Sequence, residues 1–212
     1  MRVVDKELKT YIEKEVLPRY NTFDKAHQRN HVDTVIEQSM YLAQFYDVDV
    51  NMVYTIAAYH DTGLVEGRKF HHLVSGDIIR SDKQLRKWFD EGQIEIMAQS
   101  VEDHRASADH EPRSIYGKIV AEADRLIDND SIVRRTVQYG LSNYHELGEP
   151  EQIERALEHL NEKYSEKGYL KLWIPESPNA ERLDRLHELI KDEKRIRKMI
   201  KDIYEEEIDK KN

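Results

Sequence analysis

Apolar residues recur at helical spacing along most of this 212-residue chain, and few residues interrupt them. Only 8 glycines and 5 prolines are present, fewer than the many tight turns of a sandwich or barrel require. No stretch alternates apolar and polar residues with the period of two that a half-buried strand shows. The sequence therefore predicts an all-α protein, a helical bundle without a sheet.

The apolar spacing also predicts where the helices lie. The first should stop at Pro18, and the third, apolar nearly all round, should be a central buried helix ended by Gly63. We expect one domain over residues 1–212, with a core at about 20–130 and C-terminal helices 140–212 packed on it. The predicted helices cover 3–17, Asp24 or Asn30 to about 46, a cap at Asp49 or Asn51 to 61, 70–80, 82–90, 93–105, 114–128, 150–166 and 179–208.

One aromatic segment stands out near the C-terminus. Residues 169–175 read Tyr-Leu-Lys-Leu-Trp-Ile-Pro after Gly168. We interpret this segment as a strap docking on the core. The alternatives are a lid edge or a contact in a homodimer, because Trp and Tyr favour interfaces.

Charge and cysteine content exclude several classes of protein. The formal net charge is −9, with acids and bases mixed along the chain, so an extended nucleic-acid surface is not expected. The absence of cysteine excludes disulfides and zinc–thiolate sites and suits a reducing compartment. No run reaches membrane-spanning length, and residues 1–6 lack the apolar region of a signal peptide. We expect a cytoplasmic protein without a membrane segment.

Histidines and aspartates in apolar surroundings are the candidate functional residues. His60-Asp61 closes the apolar third helix, where a buried carboxylate is costly unless a cation compensates it. His27 and His31 lie four residues apart, so they share a helical face. Asp124 lies in a small, apolar stretch and should also need a cation or a donor. These residues point to one buried site.

Two imidazoles and two carboxylates would form a mixed nitrogen and oxygen ligand set. Such a set suits one divalent ion (Mn, Mg, Co, Ni, Fe or Zn) with positions left open for water and substrate. The alternative is that each acid pairs with a nearby arginine such as Arg125 or Arg105.

The order His31, His60-Asp61, Asp124 is similar to the H…HD…D pattern of the HD superfamily of metal-dependent phosphohydrolases. Residues 57–63 (AAYHDTG) resemble the family's "aalxHDxG" box and residues 123–126 (ADRL) its "ADrL" box. Weaker resemblances cover the first-histidine helix at 24–35, a histidine segment at 71–76 and a helix ending in histidine at 101–104.

The resemblance implies a helical bundle in which His31, His60, Asp61 and Asp124 hold one metal. Some relatives use histidines matching His71 and His104 for a second metal or for phosphate. The chain departs from the bimetallic subtypes, because their additional acidic or GYP-type boxes are not found. It also departs from mononuclear nucleotidases, which often place a catalytic acid where this chain has Leu64; the nearest acid is Glu66.

The predicted activity is hydrolysis of a small phosphoester, a nucleotide or related metabolite. Asp61 should orient the attacking water or take its proton. Arg68, Lys69 and Arg105 are candidates to clamp phosphate oxygens, although solvated surface charges are the alternative. His71 and His104 are candidates for phosphate or a second metal. His27 and His72 are expected beside the ligands, and His110, His145, His159 and His187 on the surface.

Two other functions remain open from the sequence alone. One is a regulatory HD domain that binds a metal and a nucleotide without catalysis. The other is a structural scaffold whose C-terminal helices serve self-association.

Overall fold

Helices are the only regular elements of the computed structural model, which describes residues 3–23, 27–108 and 110–210. No strand occurs in these ranges, so the all-α prediction is confirmed. The α-helices of these ranges are α1 (Lys6–Tyr11), α2 (Arg29–Leu42), α3 (Val50–Tyr59), α4 (His71–Ser81), α5 (Glu91–Glu102), α6 (Ile115–Asp124), α7 (Asn129–Asn143), α8 (Glu149–Tyr164), α9 (Asn179–Lys191) and α10 (Glu193–Asp209).

Aspartate side chains start many of these helices. A carboxylate at the N-cap accepts hydrogen bonds from first-turn N–H groups that would otherwise lack a partner. Asp49 and Asn51 were the two predicted caps of α3, and the structure shows that Asp49 is the cap, since its side chain accepts from the Asn51 N–H. Further aspartate caps precede α1, α5, α7 and α10, at Asp5, Asp90, Asp128 and Asp192.

Several predicted helix ends were wrong. Pro18 does not stop the first helical region, because a π-helical turn, Ile12–Val16, runs into a 3₁₀ turn, Leu17–Thr22, in which Pro18 needs no N–H partner. Gly63 does not end α3; it lies inside a further 3₁₀ turn, Thr62–Glu66. The cap of α2 is Gln28 rather than Asn30, and Asp24 lies outside the described residues.

Two predicted helices are also shorter or broken. The region 82–90 contains only the 3₁₀ turn Lys83–Lys87. The helix expected at 179–208 is two helices, because the backbone of Asp192 leaves the helical conformation (φ −81°, ψ 80°) and caps α10. Sequence reasoning missed α7, whose few buried apolar residues are spread among charged and polar ones.

The backbone contacts divide the chain into two compact units. One unit runs to Leu126 and includes Leu172–Ser177; its core is built mainly from α2, α3, α5 and α6. Every residue of α3 except the half-buried Asn51 is buried, as predicted for a central helix. The expectation of a single domain stays a prediction.

The other unit consists of Ile127–Lys171 and the chain from Pro178 onward. Helices α7–α10 pack their buried leucines and isoleucines together and carry ion pairs on their polar faces. Arg134 of α7, for example, contacts Glu206 and Glu207 of α10, each at 2.8 Å.

The predicted strap lies partly in the first unit. Ile174 is buried there, and the Trp173 N–H donates to the buried Glu122 carboxylate at 2.7 Å. The Tyr46 hydroxyl donates to Glu176 at 2.5 Å, and this bond, together with burial, raises the pKa of Tyr46 to about 12. Docking on the core is therefore confirmed for Trp173 and Ile174, whereas Tyr169 belongs to the other unit.

Among the described residues, no helix combines the length and the apolar character needed to cross a membrane.

Candidate metal centre

Helices α2–α6 each bring a histidine or an aspartate to one buried region of the first unit. Some of these residues lie within a helix and others directly after one, so regular backbone fixes their positions. They are His31 in α2, His60 and Asp61 after α3, His71 at the start of α4, His104 after α5 and Asp124 at the end of α6.

Three of these residues form what we call the first ligand group: His31, His60 and Asp124. The Nε2 atoms of His31 and His60 are 3.2 Å apart, and the Asp124 Oδ1 lies 3.2 Å from the His31 Nε2 and 3.8 Å from the His60 Nε2. His60 is fully buried and the side chain of His31 is 9% exposed, whereas a quarter of the Asp124 side chain is exposed. Asp124 thus lies at the edge of the core rather than inside it.

The second ligand group consists of Asp61, His71 and His104. The Asp61 Oδ1 lies 3.3 Å from the His71 Nε2 and 3.5 Å from the His104 Nε2. The two Nε2 atoms are 3.3 Å apart. This set is nearly closed to solvent, since none of its side chains is more than 11% exposed.

Asp61 belongs to both groups. Its Oδ1 faces the second group, while its Oδ2 lies 3.2 Å from the His60 Nε2 and 3.5 Å from the His31 Nε2. One carboxylate therefore stands between two sets of imidazoles, with one oxygen toward each.

Three of the histidines are oriented in the same way. The Nδ1 atoms of His60, His71 and His104 lie at hydrogen-bond distance from the carbonyls of Ala57, Arg68 and Val101, each three residues earlier. A carbonyl only accepts, so each Nδ1 carries a proton, and each Nε2 faces the other residues of its ligand group. In metal-binding histidines, the ring nitrogen that does not bind the metal commonly makes such a hydrogen bond, which fixes the orientation of the ring.

Facing lone pairs repel unless a cation or a proton lies between them. This applies to the Nε2 atoms of His71 and His104, since both rings already donate through Nδ1. Two ligands bound to one ion at about 2.1 Å lie about 3.0–3.4 Å apart, close to most of the distances in each group. The donor sets therefore fit a divalent metal ion in both places.

The carboxylates shift the titration of the first group. Burial by itself lowers the pKa of His31, but hydrogen bonds to Asp124 and Asp61 and their negative charges outweigh it and raise that pKa to about 9. The pKa of His60 is also raised, since the charge of Asp61 overcomes burial. Burial opposes ionisation of Asp61 and Asp124, yet the histidines hold both pKa values below the usual range. Both acids are thus charged at neutral pH.

The alternative of acids neutralised by arginines does not hold within the described residues. No arginine there lies within 4.0 Å of the Asp61 or Asp124 carboxylate oxygens, which contact histidine nitrogens instead. Arg105 donates to the Lys69 carbonyl at 3.1 Å, and Arg125 donates to the Ala121 carbonyl.

Gly63 allows α4 to approach the His60-Asp61 turn. A Cβ atom at position 63 would lie 2.0 Å from the His71 carbonyl oxygen and 2.6 Å from the Ser75 nitrogen, so only glycine fits there. The Gly63 N–H donates to the Ser75 hydroxyl at 2.9 Å. This close contact brings His71 to Asp61.

Tyr20 holds the backbone of the same turn from the other side. Its buried hydroxyl donates to the Ala58 carbonyl at 2.9 Å and accepts from the Asp61 N–H at 3.3 Å. Burial, followed by the nearby Asp61 charge, raises the pKa of Tyr20 well above its usual value. The hydroxyl stays protonated and can keep donating.

A buried ion pair fixes the chain next to His104. Asp103, 1% exposed, accepts from the Arg113 N–H at 2.8 Å and from its guanidinium at 2.7 and 3.0 Å. Arg113 also contacts Glu102 at 2.6 Å, and Glu102 in turn contacts Arg80 of α4. These ion pairs therefore hold α4 and α5, the helices next to the second-group histidines, together. Sequence reasoning missed Asp103, Arg113 and Tyr20. The one feature of the sequence that could have indicated this ion pair is the acidic residue Asp103, which directly precedes His104.

The other predicted site residues lie beside one or the other ligand group. The His27 ring contacts the His31 ring edge-on at 5.8 Å between centroids, and the His72 ring contacts His71 at 5.7 Å. Burial, together with the charge of Arg105, lowers the pKa of His72 to about 4, so this ring is neutral at pH 7. Arg68 and Lys69 are exposed in the loop before His71.

The comparisons with known proteins agree with this geometry. Residues 29–128 match the family model of the HD domain. This part of the chain is similar to an HD domain. The match begins at the first residue of α2 and includes all six residues of the two ligand groups. Comparison with curated proteins and with solved structures gave no match.

Proposed function

We propose that the HD domain is a metal-dependent phosphohydrolase that binds two divalent ions and hydrolyses a small phosphoester, with nucleotides as the substrate class. The observation that carries the proposal is the Asp61 carboxylate, with one oxygen toward each ligand group. A shared carboxylate between two nitrogen-rich sets suits a pair of ions on opposite sides of one reacting phosphate. The sequence alone predicted one ion.

His31, His60 and Asp124 would hold one ion, His71 and His104 the other, and Asp61 both. When bound, such ions act as Lewis acids toward a phosphoryl oxygen and make a water nucleophilic near neutral pH. Because both Asp61 oxygens face ligand groups, its part is to hold and orient; its predicted role as proton acceptor stays a prediction. Asp124, a quarter exposed, has the most exposed side chain of the six residues.

Arg68, Lys69 and Arg105 are proposed to bind phosphate oxygens beside the second ligand group. Their cations offset the negative charge of a phosphorylated substrate, which matters in a chain of net charge −9. The expected homodimer and cytoplasmic location are kept as predictions.

Metal content and hydrolysis test the proposal together. Protein purified without chelator should contain about two divalent ions per chain, and it should hydrolyse members of a nucleotide and phosphoester panel with at least one of Mn, Co, Mg, Ni, Fe or Zn. The variants His60→Ala and Asp61→Ala should lose this turnover. His145→Ala, an exposed histidine of the other unit, is the matched control and should keep it.

The outcomes separate the competing functions. Metal and nucleotide binding without turnover under any condition would favour a sensing domain. Protein that contains no metal and whose melting temperature is unchanged by added metal would favour a scaffold. Wild-type turnover in both His60→Ala and Asp61→Ala would show that the site is assigned wrongly.

A further inference from the structure

Arg155 of α8 is a half-buried cation without an acidic partner. Among the described residues, no carboxylate oxygen lies within 4.0 Å of its guanidinium nitrogens. Its Nε donates to the Gln152 Oε1 at 3.3 Å, and its Nη2 donates to the Thr136 carbonyl of α7 at 2.5 Å. Burial lowers the pKa of Arg155, as expected for a cation that is partly withdrawn from water without a counter-charge. Most of its N–H donors are therefore free for a group outside the chain.

Two acids of α8 have the spacing to pair with Arg155 but do not. Glu151 lies four residues before it and Glu158 three residues after it, which are the spacings of helical ion pairs, and both acids are exposed. Within the described ranges, neither carboxylate lies within 4.0 Å of a charged nitrogen. The guanidinium lies across α7 instead, where a Cβ atom at Gly140 would be 2.4 Å from its Nη2. Gly140 thus gives this cation a place away from the acids of its own helix.

Two exposed tyrosines border the guanidinium. Its Cζ lies 5.6 Å from the centroid of the Tyr144 ring, and that ring meets the Tyr139 ring edge-on at 6.2 Å between centroids. Tyr144 is 40% exposed and Tyr139 is 50% exposed. Tyrosine and arginine are enriched at protein interfaces, where they often supply much of the binding energy. We call Tyr139, Tyr144, Glu151 and Arg155 the Tyr–Arg face.

The charges of the Tyr–Arg face suit a second copy of this chain better than a small anion. An anion bound at Arg155 would also meet the negative charges of Glu151 and Glu158, which have no cationic partner in the described part of the chain. A copy related by a two-fold axis presents the same residues in reverse, so a contact between Arg155 and Glu151 would form twice in one interface. Each charge would then gain the partner that it lacks within its own chain.

We infer that the Tyr–Arg face is the contact of a two-fold symmetric homodimer. Arg155 of each protomer binds Glu151 of the other, and the tyrosines of both protomers pack beside these ion pairs. All four residues belong to the unit that contains Ile127–Lys171, so the contact does not depend on the metal centre or on its proposed chemistry. It also differs from the dimer contact considered for residues 169–175.

Two charge reversals test the contact in the whole chain. Arg155→Glu would oppose two carboxylates across the interface, and Glu151→Arg would oppose two guanidinium groups. Because each repulsion occurs twice per dimer, we expect the dissociation constant of the dimer to rise about a hundredfold or more in either variant. Sedimentation equilibrium measures it. Glu151 is exposed and forms no ion pair among the described residues, so Glu151→Arg should leave the melting temperature unchanged.

Mixing the two variants separates an interface from a structural role. In a mixed dimer, the carboxylate introduced at position 155 faces the guanidinium introduced at position 151, and the other contact is the native pair. The mixture should therefore dimerise with nearly wild-type affinity, although each variant alone stays monomeric. Damage to the fold by Arg155→Glu would not be repaired in this way. Tyr139→Ala, which removes an exposed ring, should raise the dissociation constant about tenfold.

Lys194→Glu is the matched control. It reverses an exposed cation of α10 and changes the net charge as Arg155→Glu does, so it should leave the dissociation constant unchanged. Wild-type protein that stays monomeric at all concentrations, or a mixture that associates no better than either variant alone, would overturn the dimer. Binding of inorganic phosphate to a monomeric wild-type protein, lost in Arg155→Glu, would instead assign the face to a free anion.

Discussion

The two ligand groups share one carboxylate but differ in how the chain builds them. The first takes its own ligands from α2, the end of α3 and α6, and it has two carboxylates, Asp61 and Asp124, within reach. The second has only its share of Asp61, and its histidines lie at the start of α4 and just after the end of α5. The first group is thus suited to tight binding of an ion. The second would leave its ion with more uncompensated charge to attract phosphate.

The shared carboxylate should show the largest effect. Asp61→Asn removes the charge that both groups use, so we expect turnover to fall by about a thousandfold or more and the affinity for both ions to drop. Metal analysis and kcat/KM measure this, with the exposed Asp184→Asn as control. Loss of only one ion would mean that Asp61 serves a single group.

Variants that remove one histidine from either group should show how much metal each group binds. His31→Ala and His71→Ala are each expected to reduce the metal content from about two ions to about one per chain, with at least about a hundredfold loss of turnover. The ion kept by His71→Ala should bind more tightly than the one kept by His31→Ala. Calorimetric titration after metal removal measures both; equal affinities would contradict the charge difference between the groups.

The Asp103–Arg113 ion pair should affect metal binding by the second ligand group and not by the first. Arg113→Met keeps the length of the side chain but removes the guanidinium, so that the buried Asp103 carboxylate keeps only the backbone N–H of residue 113 and the more distant His110 ring. The chain at His104 should therefore shift. We expect the affinity for the second-group ion to fall about 10- to 100-fold, with that of the first unchanged.

A purely structural role of Arg113 would lower the melting temperature and weaken both ions alike. Arg86→Met, which breaks an exposed pair with Glu91, is the control.

A proton and a metal ion should compete for the His31 Nε2, so metal binding by the first group should depend on pH. With a pKa of about 9, His31 is protonated at neutral pH, and its proton must leave before Nε2 binds a metal. Raising the pH from about 6.5 toward 9 should therefore strengthen metal binding by close to tenfold per pH unit, levelling off above 9. His71→Ala, which keeps only the first group, allows this measurement; affinity independent of pH would contradict the protonated state.

Sequence reasoning singled out His31, His60, Asp61 and Asp124, which the structure brings close together, because the energetic cost of burying such residues can be judged from their neighbours in the sequence. The apolar sequence of α3 shows that the histidine and aspartate at its end are buried. Burying these polar groups costs free energy unless a cation or a hydrogen-bond donor compensates it, whatever the rest of the fold. The role of His71 and His104 was left open, because it depends on how α4 and α5 approach Asp61. That approach is set by tertiary contacts such as Arg80 with Glu102.

For the fold, too, features set by neighbouring residues could be predicted and features set by tertiary contacts could not. Helical periodicity predicted most helices, and Asp49 was readable as a cap because its side chain acts on the next few residues. The break at Asp192 was not predicted, because the apolar residues before it (Leu183 to Ile190) and after it (Ile196 to Ile203) both recur at helical spacing. Helix α7 was missed since its apolar positions are too few to stand out among charged residues.

Gly63 has a consequence for the evolution of this family. Because a Cβ there would collide with the backbone of His71, any chain with a larger residue at this position must move α4 away from the turn. Such a chain would lose the contact between Asp61 and His71 at the same time. In homologous sequences we therefore expect the glycine and the histidine eight positions later to be kept or lost together, so that this pair of positions would mark which relatives assemble the second ligand group.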